Sequence, residues 1–360
     1  MFSKDPRRLC HDDEGLNAGA TLALLGASFH TPTDQFFTRS HAPIPTVDPA
    51  TWRLRISGLV NAAQELSLGD LKSRFARHDV TATLVCAGLR RNEFLALGPL
   101  PGELPWGPEP LSTGRWSGVS LRDVLAAAGV SEGARYTAFT GQDQVLRHGH
   151  QFGFGGSIPI EKAMSAEVLL AFDLNGEPLT AEHGFPVRVV VPGWVGARSV
   201  KWLSEIVVQA DPSANYFQTK AYRVERTPNP NDLRDVSAGE ELGELTINAA
   251  ILTPEPGARV KAGPVRLGGW ALGSHASRVT QVEVSTNGGA VWTPAEIARQ
   301  DARWTWAFWE AEVSLEPGRH LLTVRAWDES GTEQPADLAQ VWNVKGYLNN
   351  AWHRVPVEAV

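Results

Sequence analysis

The chain has 360 residues, of which 42% are apolar and 20% charged. Its length exceeds the size at which one hydrophobic core usually keeps growing, so we expect two domains in a soluble globular protein. The 33 lysines and arginines against 40 aspartates and glutamates give a net charge of −7, which argues against a general affinity for nucleic acid or for an anionic membrane. Any anion must therefore bind in a local basic pocket.

The amino-terminal segment lacks the continuous apolar stretch and cleavage signature of a secretory signal. No segment approaches the roughly 20 apolar residues that cross a bilayer. Cys10 and Cys86, the two cysteines, are too few for a disulfide framework or a four-cysteine zinc site. We expect a cytoplasmic protein without a membrane partner, with a periplasmic location as the alternative.

Strand and helix patterns are interspersed in the first 210 residues. Residues 51–60, TWRLRISGLV, alternate apolar and polar side chains and predict a half-buried strand. Ser67 and Ser120 each precede a helical pattern, and Gly129 ends the second helix. Residues 167–179 predict a strand that runs into an Asn-Gly turn. The fold class predicted for this half is mixed α+β.

The prolines, asparagines and acids of residues 226–244 predict a linker or an extended arm. The pattern of apolar and polar residues changes after this segment. The short alternating segments beyond it predict an immunoglobulin-like β-sandwich, although no Cys…Trp…Cys signature is present. Eight of the 13 tryptophans follow residue 240, more than a core of this size needs, which suggests a buried partner surface and hence a homodimer. We therefore expect one domain over residues 1–240, arm and linker included, and a sandwich over 241–360.

The stretch TATLVCAGLRRNEF, residues 81–94, places Cys86 between a β-branched run and Gly88. Gly88 lets the backbone turn, so Arg90 and Arg91 could both fold back towards the sulfur. Nearby cations stabilise a thiolate, which is a good nucleophile and a soft metal ligand. From these residues alone a small buried hydrophobe at a strand end remains the more common outcome. A cysteine nucleophile would also need a histidine base nearby.

The segment TLVCAGLRR resembles the cysteine motif of the sulfite oxidase family, in which the thiolate binds molybdenum carried on molybdopterin. Further blocks resemble the family in order along the chain: DQFFTRSHAPIP, GGSIPIEKAM, the long stretch 167–203, YFQTKAYR and VWNVKGYLNNAWHRV. The resemblance implies a molybdopterin-binding domain followed by an immunoglobulin-like dimerisation domain. No haem domain is seen in the sequence, so the haem-free bacterial and plant forms are the ones it resembles.

The resemblance also implies the site residues. Cys86 would be the only protein ligand to the metal. The residues implied for the substrate pocket and catalysis are Arg39, Arg91, Trp106, Tyr222 and Lys345. Those implied for binding the molybdenum cofactor are Phe37, Thr38, Arg39, Ser40, His41, Cys86, Asp143, His183, Arg188, Ser199, Val200 and Lys201.

The implied activity is oxidation of sulfite to sulfate by oxygen-atom transfer, with electrons passed to an external acceptor such as a cytochrome c or oxygen. Lys345 stands where the family usually has arginine, and it keeps the charge but loses the planar fork, which predicts weaker sulfite binding or another oxyanion. Nitrate reduction or oxidation of a different sulfur compound on the same scaffold is the alternative. A non-enzymatic binding protein, or a metal bound by His148 and His150, is a more distant possibility.

Overall fold

The computed structural model describes residues 4–227, 229 and 235–360. Residues 228 and 230–234 of the predicted linker therefore lie outside the described chain. No described helix is long and apolar enough to cross a membrane.

The first half of the chain consists mainly of short strands. Its α-helices are α1 (Leu22–Ala27), α2 (Leu68–Arg74), α3 (Leu121–Ala128) and α4 (Ile160–Ala163). Its strands are β1 (Leu9–Cys10), β2 (Ala18–Gly19), β3 (Leu54–Gly58), β4 (Gln64–Leu66), β5 (Arg77–Val85), β6 (Leu111–Ser120), β7 (Tyr136–Gly141), β8 (Val145–Arg147), β9 (His150–Phe152), β10 (Gly155–Pro159), β11 (Leu169–Leu174), β12 (Glu177–Pro178), β13 (Arg188–Val190), β14 (Leu203–Gln209), β15 (Arg223–Val224) and β16 (Glu240–Glu241). Single 3₁₀ turns span Arg91–Ala96, Ala181–His183 and Gly196–Arg198, and a π-helical turn spans Phe217–Ala221.

Two five-stranded sheets form the body of this half. One has the order β10-β7-β14-β3-β4, and the other runs β12-β11-β6-β5 with β13 beside β11. Only β14 and β3 pair in parallel within these two sheets. Apolar side chains such as Leu54, Val119, Leu125, Phe139 and Ile206 form a continuous buried cluster with the helices, so the predicted α+β class is confirmed.

Of the two serines predicted to cap helices, Ser67 does so, whereas Ser120 precedes α3 without a capping hydrogen bond from its side chain. Ser67 and Asp70 form a reciprocal capping box at the start of α2, since the Ser67 hydroxyl accepts from the Asp70 amide and the Asp70 carboxylate accepts from the Ser67 amide. In α3 the apolar face is buried, and Gly129 ends the helix with φ +71°. The predicted turn at Asn175 and Gly176 has φ values of 54° and 90°.

The second half is the predicted β-sandwich. Its strands are β17 (Asn248–Thr253), β18 (Arg259–Val260), β19 (Gly263–Leu272), β20 (Val279–Ser285), β21 (Thr293–Arg299), β22 (Ala307–Leu315), β23 (Gly318–Asp328) and β24 (His353–Ala359), with a 3₁₀ turn at Leu338–Val341. They pair along one curled path in the order β17-β19-β22-β21-β20-β23-β24-β18. Ile251, Leu267, Trp309, Val324 and Val355 belong to the core that this path encloses.

The two halves pack against each other through a shared apolar cluster. Leu25 and Val85 of the first half and Trp270 and Trp306 of the second belong to it. The Trp306 indole donates to the Phe29 carbonyl across the junction. Part of the tryptophan excess that suggested a dimer surface therefore serves this internal interface.

The described end of the predicted linker is tied to the first half. Strand β16 pairs with β15, and the Leu242 amide donates to the Tyr222 carbonyl at 3.0 Å. The Val195 amide donates to Gly243, and the Leu245 amide donates to Gly193. The chain entering the sandwich therefore passes directly behind the loop that carries Tyr222.

Candidate active site

A cleft of about 730 Å³, counting its open mouth, lies where several loops of the first half meet. The loop 36–41, the end of β5, the segment 182–202 and the end of the π-helical turn supply its walls. Twelve of the sixteen predicted site residues line it: Phe37, Thr38, Arg39, Ser40, His41, Cys86, Asp143, His183, Arg188, Ser199, Lys201 and Tyr222. Residues far apart in sequence therefore meet at one place.

Cys86 faces this cleft from the first residue after β5. Its amide donates to the Pro110 carbonyl at 2.9 Å, and its carbonyl accepts from the Leu89 amide in the turn that follows. The residue is 8% exposed, and its thiol is free of any disulfide. The strand and the turn both fix its backbone, so the residue has a defined place on the cleft wall.

Lys201 and Arg188 form a buried basic end of the cleft. The Lys201 ammonium donates to the Ser40 hydroxyl and the Glu182 carbonyl, and the Arg188 guanidinium donates to the His183 and Ser199 carbonyls. Burial lowers the pKa of Lys201 well below its usual value and that of Arg188 to about 9. Neither cation forms a salt bridge with a described carboxylate.

These buried cations test whether the residues fit a molybdenum cofactor. A buried charge without a counterion is costly, whereas the phosphate of such a cofactor would pair with both side chains through charge-assisted hydrogen bonds. The Cys86 thiol, a soft ligand, lines the same cleft. The donor set therefore fits the group, with the phosphate at the basic end and the metal beside Cys86.

The two cleft histidines are held neutral. Burial, followed by the charge of Arg39, lowers the pKa of His41 well below its usual value. Burial, followed by the charge of Lys4, lowers the pKa of His183 well below its usual value. A neutral imidazole offers one donor and one acceptor, which suits recognition of a pterin ring edge.

Tyr222 lies at the end of the π-helical turn with its hydroxyl 2.9 Å from His41 Nε2. Burial raises the pKa of this hydroxyl to about 12, although the charge of Arg39 opposes the shift. The phenol is therefore protonated at all ordinary pH values and can donate a hydrogen bond to an oxyanion. Its ring stacks on Tyr347 at 5.5 Å between centroids.

Arg39 is oriented by the amino-terminal segment. Its guanidinium donates to Asn17 Oδ1 at 2.9 Å and to the Ser40 carbonyl at 2.7 Å. The other guanidinium nitrogen lies 3.3 Å from His41 Nδ1. Arg39, His41 and Tyr222 therefore form one hydrogen-bonded chain along the cleft wall.

Four predicted site residues do not line the cleft. Arg91 lies behind the aromatic pair, with its guanidinium 5.0 Å from the Tyr347 ring centre, and Lys345 shares a carboxylate with it. Trp106 is fully buried with its ring 4.3 Å from that of His11. Val200 belongs to the main core between the cleft residues Ser199 and Lys201.

Arg91 reaches its place by passing two glycines. A Cβ atom at Gly88 would lie 2.7 Å from the guanidinium carbon, and one at Gly346 would lie 2.6 Å from Arg91 Cγ. Both distances are too short for any larger residue, so this path of the side chain requires glycine at both positions.

The expectation that both arginines fold towards the sulfur is wrong for Arg90. Its backbone has φ +61°, and its guanidinium donates to Glu93 and to Asn248 and Ala351 of the second half. The left-handed turn sends successive side chains in different directions. Arg90 is thus a junction residue, while Arg91 stays near the cleft.

Sequence reasoning missed residues at both ends of the site. Lys4 lies against His183, and burial together with the charge of Arg8 lowers the pKa of Lys4 to about 7. Arg8 itself donates to the Thr38 hydroxyl. The basic run SKDPRR was the available signal. Glu103 and Tyr347, in contrast, carry no local signal, because they meet Arg91 only through the fold.

His148, weighed as a metal ligand with His150, lies in the β8–β9 turn with its ring 5.6 Å from that of Tyr216. No group of three histidine, cysteine or carboxylate side chains that could hold a metal occurs in the described parts of the chain.

Comparison with protein-family models identifies two domains. An oxidoreductase molybdopterin-binding domain matches residues 41–217, and a Mo-co oxidoreductase dimerisation domain matches residues 240–360. The first covers most of the cleft residues, although Phe37 to Ser40 and Tyr222 lie just outside its bounds, and the second covers the β-sandwich.

Similar proteins extend over almost the whole chain. Sulfite oxidase of Gallus gallus is 41% identical over 98% of this chain and 79% of its own length. Nitrate reductase [NAD(P)H] of Hordeum vulgare is 35% identical over 93% of this chain but only 40% of its own length. The sulfane dehydrogenase SoxCD of Paracoccus pantotrophus superimposes with a TM-score of 0.82 at 28% identity, covering 98% of this chain and 91% of that one. The resemblance deduced from the sequence is therefore confirmed: this chain belongs to the sulfite oxidase family of molybdopterin-dependent oxidoreductases.

Proposed function

We propose that this protein oxidises sulfite to sulfate. The observation that carries the proposal is that the Cys86 thiol, Arg39 and the Tyr222 hydroxyl line one cleft whose other end holds the buried cations Lys201 and Arg188. When bound there, the molybdenum cofactor supplies the two-electron oxidation and the oxygen-atom transfer. The redox chemistry is the cofactor's, and the chain supplies binding, orientation and charge.

The chain's part at the basic end is retention of the cofactor. Lys201, Arg188 and, from the amino-terminal segment, Lys4 would hold the phosphate. Neutral His183 and Asp143 would contact the pterin; burial raises the pKa of the Asp143 carboxyl, whose Oδ1 accepts from the Phe154 amide. Cys86, whose thiol lines the cleft, would hold the metal as its soft protein ligand.

The chain's part at the other end is orientation of the substrate. Arg39 attracts the anion, and the protonated Tyr222 phenol donates to one of its oxygens. Neutral His41 accepts from Arg39 at Nδ1, so its Nε2–H donates to the Tyr222 oxygen and leaves the phenol proton free for the substrate. Arg91 and Lys345 contribute positive charge from behind Tyr347.

The overall reaction consumes water and releases electrons. Sulfite and one water give sulfate, two protons and two electrons, and the electrons must leave one or two at a time to an external acceptor, for which a cytochrome c and oxygen are the candidate classes. We further propose that residues 1–240 form the catalytic unit, and that residues 241–360 join two copies of the chain into a homodimer.

Cys86→Ser tests the proposal, with Cys10→Ser as the matched control because Cys10 is exposed on β1. Protein is made in a host competent to synthesise the cofactor, and molybdenum, pterin, visible absorption and sulfite-dependent ferricyanide reduction are measured. We expect Cys86→Ser to lose the sulfur-to-molybdenum charge-transfer band and activity, and Cys10→Ser to keep both. A band that survives in Cys86→Ser refutes the ligand assignment.

Nitrate reduction is the second candidate, supported by the relative from Hordeum vulgare and by Lys345, which stands where the family usually has arginine. Nitrate-dependent oxidation of reduced viologen, run beside the sulfite assay on one preparation, separates the two activities. If the enzyme turns over nitrate faster than sulfite, nitrate reduction becomes the first candidate function and sulfite oxidation the second.

A further inference from the structure

One carboxylate occupies the space between the two cations expected to help bind the substrate. Glu103 Oε2 lies 3.2 Å from Arg91 Nη2, and Glu103 Oε1 lies 3.2 Å from Lys345 Nζ. The Glu103 side chain is only 14% exposed and that of Arg91 4%. Two positive charges and one negative charge therefore share this edge of the site.

The donors of Arg91 are largely occupied by the protein itself. Besides Glu103, its guanidinium donates to the Lys345 and Gly346 carbonyls and to the Leu104 carbonyl. A guanidinium has five N–H groups, so few remain for a ligand. At this edge the cations act on an anion through their field, and Glu103 decides how large that field is.

The field of Glu103 reaches the cleft through the two stacked tyrosines. Burial raises the pKa of the Tyr347 hydroxyl, and the negative charge of Glu103 raises it further. Tyr222, which lines the cleft, also feels this charge, although burial is the larger cause of its raised pKa. An anion beside Tyr222 is therefore within range of the same carboxylate.

We propose that Glu103 is a specificity-determining residue: it cancels one of two positive charges behind Tyr347 and so reduces the preference of the site for dianions over monoanions. Coulomb energy is proportional to the charge of the bound ion, so a dianion feels twice the effect of a monoanion. Combined with the proposed function, on which this step rests, Glu103 weakens the binding of the dianionic product sulfate and so favours its release.

Glu103→Gln tests this proposal, because glutamine keeps an oxygen acceptor for Arg91 and removes only the charge. The probes are sulfate and perchlorate, two tetrahedral ions that differ by one charge, titrated into the holoenzyme by calorimetry. We expect perchlorate to bind about threefold and sulfate about tenfold more tightly than in the parent, since the second factor is the square of the first. The same order is expected for their inhibition constants.

Glu167→Gln is the matched control, since Glu167 pairs with Lys162 at 2.6 Å and is 20% exposed but lies outside the cleft. Glu167→Gln should change neither the affinity for sulfate nor the affinity for perchlorate. Equal gains for both ions, no gain, or weaker binding in Glu103→Gln would overturn the proposal, as would a sulfate gain of the same size in Glu167→Gln.

Lys345→Gln supplies the opposite change if Glu103→Gln does not fold. This variant should weaken the binding of sulfate about tenfold and that of perchlorate about threefold, and equal losses of affinity for the two ions would count against the proposal. Failure of the proposed function is distinguishable, because a holoenzyme without sulfite turnover still gives both anion titrations.

Discussion

Replacing Arg90 with methionine removes a fully buried guanidinium from the junction between the two halves of the chain. Its Nε and Nη2 atoms each donate to the Glu93 carboxylate at 2.7 Å. Its Nη1 atom donates to Asn248 Oδ1 at 2.7 Å and to the Ala351 carbonyl at 2.8 Å. One side chain thus connects the turn after Cys86 with two strand ends of the sandwich.

The size of the effect follows from the charge that is left behind. Removing one partner of a buried ion pair costs about 3–5 kcal/mol, because the other charge loses its compensation. The Glu93 side chain retains 24% exposure, so water stabilises part of the stranded charge. We therefore expect Arg90→Met to lower the free energy of unfolding by about 3 kcal/mol, near the low end of that range.

Urea denaturation, followed by tryptophan fluorescence, measures this loss. The control is Arg299→Met, which removes an equally bidentate but exposed pair with Asp301 and should cost about 1 kcal/mol or less. The double variant Arg90→Met/Glu93→Gln removes both buried charges and should recover much of the loss. A double variant no more stable than Arg90→Met alone would refute the stranded-charge reasoning.

The pH dependence of the free energy of unfolding tests the Arg90–Glu93 ion pair independently. Burial would raise the pKa of Glu93, but the charges of Arg90 and His353 outweigh it and hold the pKa below its ordinary value. A carboxyl with a lowered folded pKa contributes stability above its unfolded pKa and loses it as pH falls. Arg90→Met should therefore flatten the acid limb of the stability profile.

Three further outcomes concern the cleft. Burial lowers the pKa of Lys201, so the unfolded chain binds more protons at this residue than the folded chain does. Lys201→Met should therefore raise the urea midpoint of the cofactor-free protein at neutral pH. The same variant should lower the amount of pterin that stays bound after gel filtration. Tyr222→Phe should reduce kcat for sulfite about 100-fold, equally at neutral and mildly alkaline pH because the tyrosine pKa is about 12, and a loss confined to alkaline pH would contradict this. Lys345→Arg keeps the positive charge behind Tyr347 and should leave the KM for sulfite within about twofold of the parent, and a larger fall in KM would show that the side chain at this position grips the anion directly.

Much of the site could be predicted because it is built from contiguous sequence blocks. The run Phe37 to His41 forms one wall, and Ser199 and Lys201 form another, each within a few residues. Local signals were equally sufficient for the capping box at Ser67 and for the turn at Asn175, since each depends on neighbours within three residues.

The rest depends on backbone direction and on distant partners. Whether Arg90 or Arg91 faces the cleft is decided by one left-handed residue, which no periodicity in the sequence specifies. Trp106 lies close to the cysteine in sequence, yet its ring turns inward to His11. Glu103 meets a lysine 242 positions away, so the charge of the anion pocket could not be counted from its cationic residues alone.

The adjacent arginines show how one motif can serve stability and function separately. Arg90 is matched by the Glu93 carboxylate within the protein, so its charge is compensated whether or not the cleft is filled. Lys201 and Arg188 have no such partner among the residues that the structure describes, and burial disfavours their charged forms. A ligand that binds only the folded chain stabilises it in proportion to the logarithm of its occupancy. Incorporation of an anionic cofactor should therefore stabilise the first half of the chain around the cleft, while the Arg90 junction holds the sandwich in place in both states.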